Sequence, residues 1–298
     1  MTIGRATISH TRTGREVIRA LADLNDQYSF FLFLEHQFIE QLDTLDQSTK
    51  SQYTSQAFSR NPFGKWIHVR IGQLPTFLYS NRGISFGAYL SISYEVATGF
   101  TDKAYELLKM TNSSSIVFPK KDGGQGPEQY YRRVLTASGY SQPPKEYIDT
   151  MTFIRLRRNA IIHLSAFPKP GYESFARSIG PSLNTFWKNS KVRVDFTMPT
   201  IGPPSERDSL DMIKLLRVVT QKLDAHLASI VDVSGLTNSV AKELFGHENV
   251  KMNLLVRKER TSKLLGRLVR DFGFSGSTAA IETAVNSVGV WQPTTLEY

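Results

Sequence analysis

Apolar residues recur at helical spacing through most of the chain. The clearest stretches are residues 15–48 and 206–231, where apolar positions return every three or four residues. This period is typical of amphipathic helices that bury one face in a core. Shorter patterns of the same kind predict helices over residues 85–111, 128–138 and 145–166. The chain is therefore expected to be mainly α-helical.

Glycine and proline mark the expected ends of these helices. Asn81-Arg82-Gly83 predicts a turn, and Gly99-Phe100-Thr101 predicts a break within 85–111, with Thr101 capping the second part. Pro168 and Pro170-Gly171 end the helix that begins at residue 145. Alternating apolar residues over 192–196 predict one short strand.

The helical patterns predict three parts of the chain. Residues 1–14 form an N-terminal tail, and residues 15–232 form a helical domain with an irregular insertion at about 167–206. Residues 233–298 form a C-terminal helical extension. Within the extension, helices are predicted at about 236–246, 258–272 and 277–287.

The charge of the chain favours an anionic partner. The net charge is +9, from 36 Lys and Arg against 27 Asp and Glu, and the sequence pI is about 9.6. Nucleic acid is the usual partner of such a protein, although a basic protein without a special partner is the alternative.

The composition also excludes several classes of chemistry. The chain contains no Cys, which excludes disulfides, Cys nucleophiles, iron–sulfur clusters and Cys-type zinc sites, and which fits the reducing cytoplasm. No apolar run reaches the length of a membrane span, and the N-terminus lacks the apolar core of a signal peptide. The histidines show no partners at metal-ligand spacing, so neither a metal nor a cofactor is predicted.

One stretch of the predicted helix 145–166 carries candidate chemistry. Residues 158–163, with the sequence RNAIIH, place a guanidinium, a carboxamide and an imidazole within about a turn and a half. Asn159 and His163 are four residues apart and share a helix face. The spacing alone is weak, because Arg5 and His10 repeat it in a stretch without helical period.

The surroundings of this stretch make it more specific. A polar strip of the predicted helix lies between two apolar faces; its members are Thr152, Arg155, Asn159 and His163. A helix that is apolar on two faces is buried on two sides, and the second side is expected to meet another copy of the protein. Arg158 interrupts an apolar face, where an unpaired charge is unfavourable. An anion, an acidic partner or a solvated groove would resolve that position.

The stretch YIDTMTFIRLRRNAIIHLSAF resembles the signature helix of HEPN-domain proteins. Their hallmark is Arg-x(4–6)-His with a polar residue after the Arg, and Arg158, Asn159 and His163 match the RNxxxH form. The resemblance covers about twenty residues, and the helical layout extends it loosely over 15–232. It implies a HEPN-like helical bundle.

The resemblance implies a metal-independent endoribonuclease of a bacterial toxin or antiphage system. Arg158 and His163 would be catalytic and Asn159 supporting, in a cleft between the subunits of a homodimer. Attack by the ribose 2′-OH would leave 2′,3′-cyclic phosphate and 5′-OH ends. Histidine suits acid–base work near neutral pH, and arginine holds two phosphate oxygens at once. Such an activity would harm its host, so an antitoxin or another regulatory protein is expected.

Other cations are candidates for contact with RNA. Tyr130 and Tyr131 precede Arg132 and Arg133, and this mixture of rings and cations is typical of RNA-contacting surfaces. The predicted RNA contacts are Arg132, Arg133, Arg155 and Arg157. The alternative for these residues is an ordinary solvated helix face.

Two other interpretations of the whole chain stay open. Arg158 can be a paired structural arginine, with His163 bonded to a nearby carbonyl near the helix C-terminus. In that case the chain is a non-catalytic HEPN-like module for RNA binding or assembly, or an unrelated helical interaction protein.

Overall fold

The computed structural model describes residues 6–112, 115–123, 125–162, 170–198, 205–246, 251–288 and 290–291. Over these residues the chain forms thirteen α-helices, one 3-10 turn and two strands of two residues each. This confirms the mainly α-helical prediction. In the described part of the chain, no helix combines the length and the apolar character that crossing a bilayer requires.

Four long helices dominate the chain: α1 (Arg12–Asp43), α5 (Leu74–Thr111), α7 (Lys145–Ile162) and α10 (Glu206–Ile230). The shorter helices are α2 (Gln47–Ser51), α3 (Thr54–Ala57), α4 (Gly64–Ile67), α6 (Pro127–Ala137), α8 (Pro170–Ser178), α9 (Gly180–Trp187), α11 (Val233–Phe245), α12 (Leu254–Phe272) and α13 (Thr278–Val288). The 3-10 turn spans Ile71–Gln73, and the strands are β1 (Lys251–Met252) and β2 (Val290–Trp291). The strands pair in parallel, with Lys251 opposite Val290.

The chain divides into two compact units. Unit 1 comprises Met1–Ala20, Val96–Thr152 and Arg217–Tyr298, and unit 2 comprises Leu21–Glu95 and Phe153–Leu216. The four long helices each contribute residues to both units. The predicted boundary at residue 232 stays a prediction, and the three C-terminal helices belong to unit 1.

The C-terminal helices of unit 1 agree with the predicted ones within a few residues. Helices α11, α12 and α13 pack against one another. Their buried apolar side chains include Leu236, Val240, Leu264, Leu268, Ile281 and Val285. Asn253 caps α12 by accepting a hydrogen bond from the backbone of Val256 at 2.9 Å. Gly273 ends α12 in the left-handed conformation, at φ +56°, which glycine adopts without strain.

Unit 2 contains the predicted insertion, which is helical over residues 170–187 rather than irregular, whereas residues 188–198 form neither helix nor strand. Helices α8 and α9 occupy residues 170–187 and pack against each other. The predicted strand at 192–196 is also wrong. In the described residues, backbone N–H groups of this stretch bond to side chains and not to a neighbouring strand. The N–H of Phe196 donates to Asn184 Oδ1 at 3.0 Å, and the N–H of Arg193 donates to Asp211 Oδ2 at 3.0 Å.

Helix α5 is longer than predicted. It runs without a break through Gly99 and through the predicted turn at residues 81–83. Arg82 holds the helix there by ion pairs to Glu35 and Glu206, with N–O distances of 3.0 and 2.7 Å. Thr101 does not cap a new helix, because its hydroxyl donates to the backbone oxygen of Thr98 at 2.7 Å. Tertiary contacts have overridden the weak helix propensity of glycine and asparagine.

A buried carboxyl group joins α10 to the start of α1 within unit 1. The Asp224 side chain accepts hydrogen bonds from the backbone N–H of Thr11 at 3.1 Å and from the Thr11 hydroxyl at 2.6 Å. Burial raises the pKa of Asp224 to about 6, and the Thr11 hydrogen bonds oppose this shift. The carboxyl group therefore keeps its proton in the folded protein at pH values where the unfolded chain has lost it.

Replacing Asp224 with asparagine is expected to change how stability depends on pH. Between about pH 4 and 6 the folded protein binds more protons at Asp224 than the unfolded chain, so its contribution to stability falls as the pH rises. By about pH 7 the loss is nearly complete, on the order of 3 kcal/mol. Urea unfolding of both proteins at pH 4 and pH 7 measures this difference. The free energy of unfolding of the asparagine variant is expected to rise relative to that of the wild type as the pH rises. The same difference between the two proteins at both pH values would contradict the raised pKa of Asp224.

Candidate functional site around Arg158

The second half of α7 carries the candidate site. Within unit 2 its buried side chains are Phe153, Ile154, Arg157, Ala160 and Ile161. Arg158 and Asn159 are half-buried, and Ile162 is exposed. His163 lies outside the described residues, as does the rest of the predicted helix to residue 166. The predicted polar strip thus lies partly at the surface, next to buried apolar positions.

Arg158 is held by one face of α5. Its Nη2 lies 2.9 Å from Glu95 Oε1, and its guanidinium carbon lies 5.4 Å from the centroid of the Tyr94 ring. Its Nε donates to Ser91 Oγ at 3.4 Å. Ser91, Tyr94 and Glu95 share a face because they are three and four residues apart on one helix. The carboxylate and the ring explain why a charge is tolerated on an apolar face of α7.

The two helices approach each other closely beside this pair. A Cβ on Gly87 would lie 3.0 Å from Ile161 Cγ2, so an added side chain would require Ile161 to shift. Ser91 Oγ donates to the Gly87 oxygen at 2.6 Å, and this orients the hydroxyl oxygen that Arg158 meets. The absence of a side chain at Gly87 therefore allows Ile161 to pack closely against α5, about one turn of α7 from Arg158.

The Arg158 guanidinium keeps access to solvent. Its side chain is 23% exposed and that of Glu95 is 64% exposed. An ion pair at this exposure contributes at most about 1 kcal/mol, because water screens it. Asn159 Oδ1 also accepts a hydrogen bond from Arg158 Nη1 at 3.4 Å. An anion that approaches from solvent would therefore compete with Glu95 for the guanidinium at little energetic loss.

Arg157 is buried, contrary to the prediction that it contacts RNA at the surface. Only 1% of the residue is exposed. Its Nη1 donates to the Tyr172 hydroxyl at 2.8 Å and to Met198 Sδ at 3.3 Å, and the Tyr172 hydroxyl donates to the Met198 backbone oxygen at 3.0 Å. Burial raises the pKa of Tyr172, although Arg157 acts in the opposite direction. Arg157 thus joins α7 to α8 and to the segment that ends at residue 198.

The other predicted RNA contacts fall in different units. Arg155 is half-buried on α7, in the same unit as Arg158 and Asn159. Arg132 and Arg133 are half-buried on α6 in unit 1. Arg133 pairs with Asp122 and also donates to Gln125 Oε1 at 3.1 Å. Their contact with RNA stays a prediction.

Unit 2 contains a second polar cluster. Glu35 on α1 is buried, and it accepts hydrogen bonds from Arg82 Nε and Nη2. The neighbouring His36 is 53% exposed, and its Nε2 lies 2.9 Å from a Glu206 carboxylate oxygen. Since every nitrogen of the Arg82 guanidinium faces a carboxylate, this cluster is a structural clamp on α5.

Neither Glu95 nor Tyr94 carries a local sequence signal that links it to Arg158. They precede Arg158 by more than sixty residues, with Glu95 63 positions away. The one local signal was the placement of Arg158 on an apolar face, which required a partner but did not name it. Over the described residues, no group of three or more Asp, Glu or His lies close enough together to hold a metal ion.

Comparisons with models of protein families, with curated proteins and with solved structures found no match for this chain. The resemblance to HEPN proteins therefore rests on the spacing of Arg158, Asn159 and His163 and on their helical setting. The structure adds the surroundings of the first two of these residues.

Proposed function

We propose that the chain is a metal-independent endoribonuclease, of the kind found in bacterial toxin and antiphage systems, that cleaves RNA at Arg158, Asn159 and His163. One observation carries the proposal: the Arg158 guanidinium is fixed by Tyr94 and Glu95 but stays partly open to solvent. A fixed cation within reach of solvent suits the binding of a phosphate.

The three side chains can divide the chemistry of RNA cleavage. Arg158 would bind non-bridging phosphate oxygens and stabilise the charge that develops as the ribose 2′-OH attacks phosphorus. His163 would transfer a proton, either from the 2′-OH or to the departing 5′-oxygen. Asn159 Oδ1 lies next to the guanidinium and would orient it or bind the ribose. The products would be a 2′,3′-cyclic phosphate and a 5′-OH.

An exposed apolar surface near Arg158 supports a homodimer. Ile84 and Ile92 on α5 are 58% and 51% exposed, and Ile162 on α7 is 43% exposed. Exposed apolar side chains on neighbouring helices are typical of protein interfaces. A second copy on this surface would bring a second Arg158 and His163 to the site. A regulatory protein that restrains the activity belongs to the same proposal.

The ion pair with Glu95 favours a second candidate. A carboxylate 2.9 Å from Arg158 already balances its charge, as expected for a structural arginine in a non-catalytic module for RNA binding or assembly. The two candidates differ in whether RNA is cut at this site.

The decisive experiment incubates the purified protein with total RNA in excess EDTA. We expect cleavage that the chelator does not prevent, with 2′,3′-cyclic phosphate ends detected on the fragments. His163→Ala is expected to lower the rate by about 100-fold or more, since it removes the acid–base group. A matched control is His68→Asn, because His68 is a histidine outside the site with φ 40°, a conformation that asparagine tolerates.

Two outcomes would contradict parts of the proposal. Equal cleavage by wild type and His163→Ala would contradict the assignment of cleavage to this site. RNA binding without cleavage by the wild type would favour the non-catalytic module. Sedimentation of the same preparation is expected to show a dimer. A monomer would contradict the proposal that a second subunit contributes to the site.

A further inference from the structure

The described segment between α5 and α6, residues 115–123, lies against α6 and against the part of α5 that belongs to unit 1. Its residue Val117 donates a backbone hydrogen bond to Ser138 Oγ at 2.9 Å, just after α6. The Tyr130 hydroxyl on α6 donates to the Pro119 backbone oxygen at 3.0 Å. The Phe118 ring contacts the Tyr105 ring on α5, with centroids 5.5 Å apart. These contacts fix the positions of the side chains that the segment displays.

Lysines of this segment and of α5 lie over aromatic rings of the segment and of α6. Lys109, in the last turn of α5, places its Nζ 4.5 Å from the centroid of the Phe118 ring. Lys121 places its Nζ 5.1 Å from the centroid of the Tyr130 ring. Lys120 lies between them in sequence and is exposed. Phe118 itself is 45% exposed, although a ring of this size is usually buried.

The lysines of this segment are not neutralised. Over the described residues, no carboxylate lies within 4.0 Å of the ammonium groups of Lys109, Lys120 and Lys121. The neighbouring acidic residue, Asp122, is paired with Arg133. Elsewhere in unit 1 several cations have carboxylate partners, as Arg267 has in Asp271 at 2.6 Å and Lys263 has in Glu259 at 2.8 Å. The segment therefore concentrates unpaired positive charge beside accessible rings.

We propose that Lys109, Phe118, Lys120, Lys121 and Tyr130, here named the lysine–aromatic strip, bind single-stranded RNA. The ammonium groups would contact phosphates, and the Phe118 ring, with Tyr130 beside it, would stack on unpaired bases. The choice of RNA over DNA rests on the proposed function. The five residues of the strip differ from Arg158, Asn159 and His163, so binding at the strip and cleavage can be measured separately.

The aromatic rings decide between RNA and an acidic protein as the occupant. Lysines alone would attract either one. Exposed rings interleaved with cations suit bases, since every base offers a face for stacking, and each stacked base contributes about 1–3 kcal/mol. Stacking of this kind requires bases that are not already stacked in a helix, so single strands are favoured over duplexes.

The test measures the binding of a fluorescent single-stranded RNA by anisotropy. All proteins carry Arg158→Ala, so that cleavage of the probe is too slow to affect the binding measurement. We expect Lys109→Gln, Lys120→Gln and Lys121→Gln together to weaken binding about 30-fold and to reduce the slope of log affinity against log salt by about 2, as lost phosphate contacts predict. The control removes the same charge elsewhere, by Lys65→Gln, Lys188→Gln and Lys191→Gln, which are exposed in unit 2. Its binding is expected to change less than threefold.

A second variant tests the stacking. Phe118→Leu keeps an apolar group against Tyr105 but removes the ring. It is expected to weaken binding about tenfold without changing the salt slope. Circular dichroism and thermal unfolding verify that each variant is folded.

Three results would contradict the proposal that the strip binds RNA. They are equal effects of the strip and control triple variants, no effect of Phe118→Leu, or displacement of the RNA by poly-glutamate as readily as by unlabelled RNA. The last result would assign the surface to an acidic protein. If the wild type cleaves RNA in the presence of the chelator but the strip variants bind RNA normally, only the proposed role of the strip is contradicted. If binding depends on the strip but the wild type does not cleave RNA, only the proposed ribonuclease activity is contradicted.

Discussion

Replacing Arg158 with alanine is expected to lower the rate of RNA cleavage about 100- to 1,000-fold, the usual effect of removing one donor that stabilises a charged transition state. Arg158→Lys is expected to recover little of the loss. Lysine keeps the charge but not the planar pair of donors that binds two phosphate oxygens. Single-turnover cleavage of a defined RNA, with the variants at equal concentration, measures both effects.

Glu95→Gln separates a catalytic Arg158 from a structural one. Glutamine keeps a hydrogen-bonding oxygen near the guanidinium, but it removes the negative charge that lies 2.9 Å from Nη2. If Arg158 binds the phosphate, Glu95 competes with RNA. The KM of Glu95→Gln should then fall severalfold while kcat stays unchanged. If Arg158 is structural, Glu95→Gln and Arg158→Ala should both lower the thermal stability and leave cleavage unaltered.

Gly235→Ala is expected to destabilise the protein by about 3 kcal/mol or more, because its Cβ would enter the backbone of α5. The added atom would lie 1.7 Å from the Thr111 backbone oxygen. Backbone cannot move aside as the end of a flexible side chain can. The midpoint of urea unfolding measures the loss.

The surroundings of Gly235 leave little room for adjustment. Asp232 caps α11 by accepting from the backbone of Gly235 at 3.1 Å. Asn112 Nδ2 donates to the Ile230 oxygen at 3.1 Å, and the Asn112 Oδ1 accepts from the backbone of Asp232 at 3.1 Å. Ser239 donates to the Met110 oxygen at 3.0 Å. These bonds hold the end of α5 against the start of α11.

Gly266→Ala is the matched control for Gly235→Ala. Gly266 also lies within a helix, but a Cβ there would meet no atom within 4 Å. Alanine has the higher helix propensity, so this variant is expected to gain up to about 1 kcal/mol. Equal effects of the two substitutions would contradict the close approach of Thr111 to Gly235.

Helix positions were predictable where the apolar period is long and the ends carry local signals. The helix predicted at 206–231 is observed as Glu206–Ile230, and Ser205 bonds both the backbone and the side chain of Asp208 at its start. By contrast, the turn predicted at residues 81–83 is helical, since Arg82 is paired with carboxylates of two other helices. Helix positions and their ends are encoded by residues within four positions of each other, so they can be predicted from local sequence. The helical state of residues 81–83 depends on partners that are distant in sequence, so it cannot.

The candidate site also combines features set by the local sequence with features set by tertiary contacts. The sequence by itself determined that residues 158 and 159 lie on one helix, near the surface strip of polar residues, and that a charge on an apolar face needs a partner. Only the tertiary structure decided that Arg158 meets Tyr94 and Glu95 whereas its neighbour Arg157 is buried against Tyr172 and Met198. Adjacent arginines have nearly the same local sequence, but successive residues point about 100° apart on a helix. The segments that pack against each direction determine which guanidinium becomes part of the core and which one remains accessible to a phosphate.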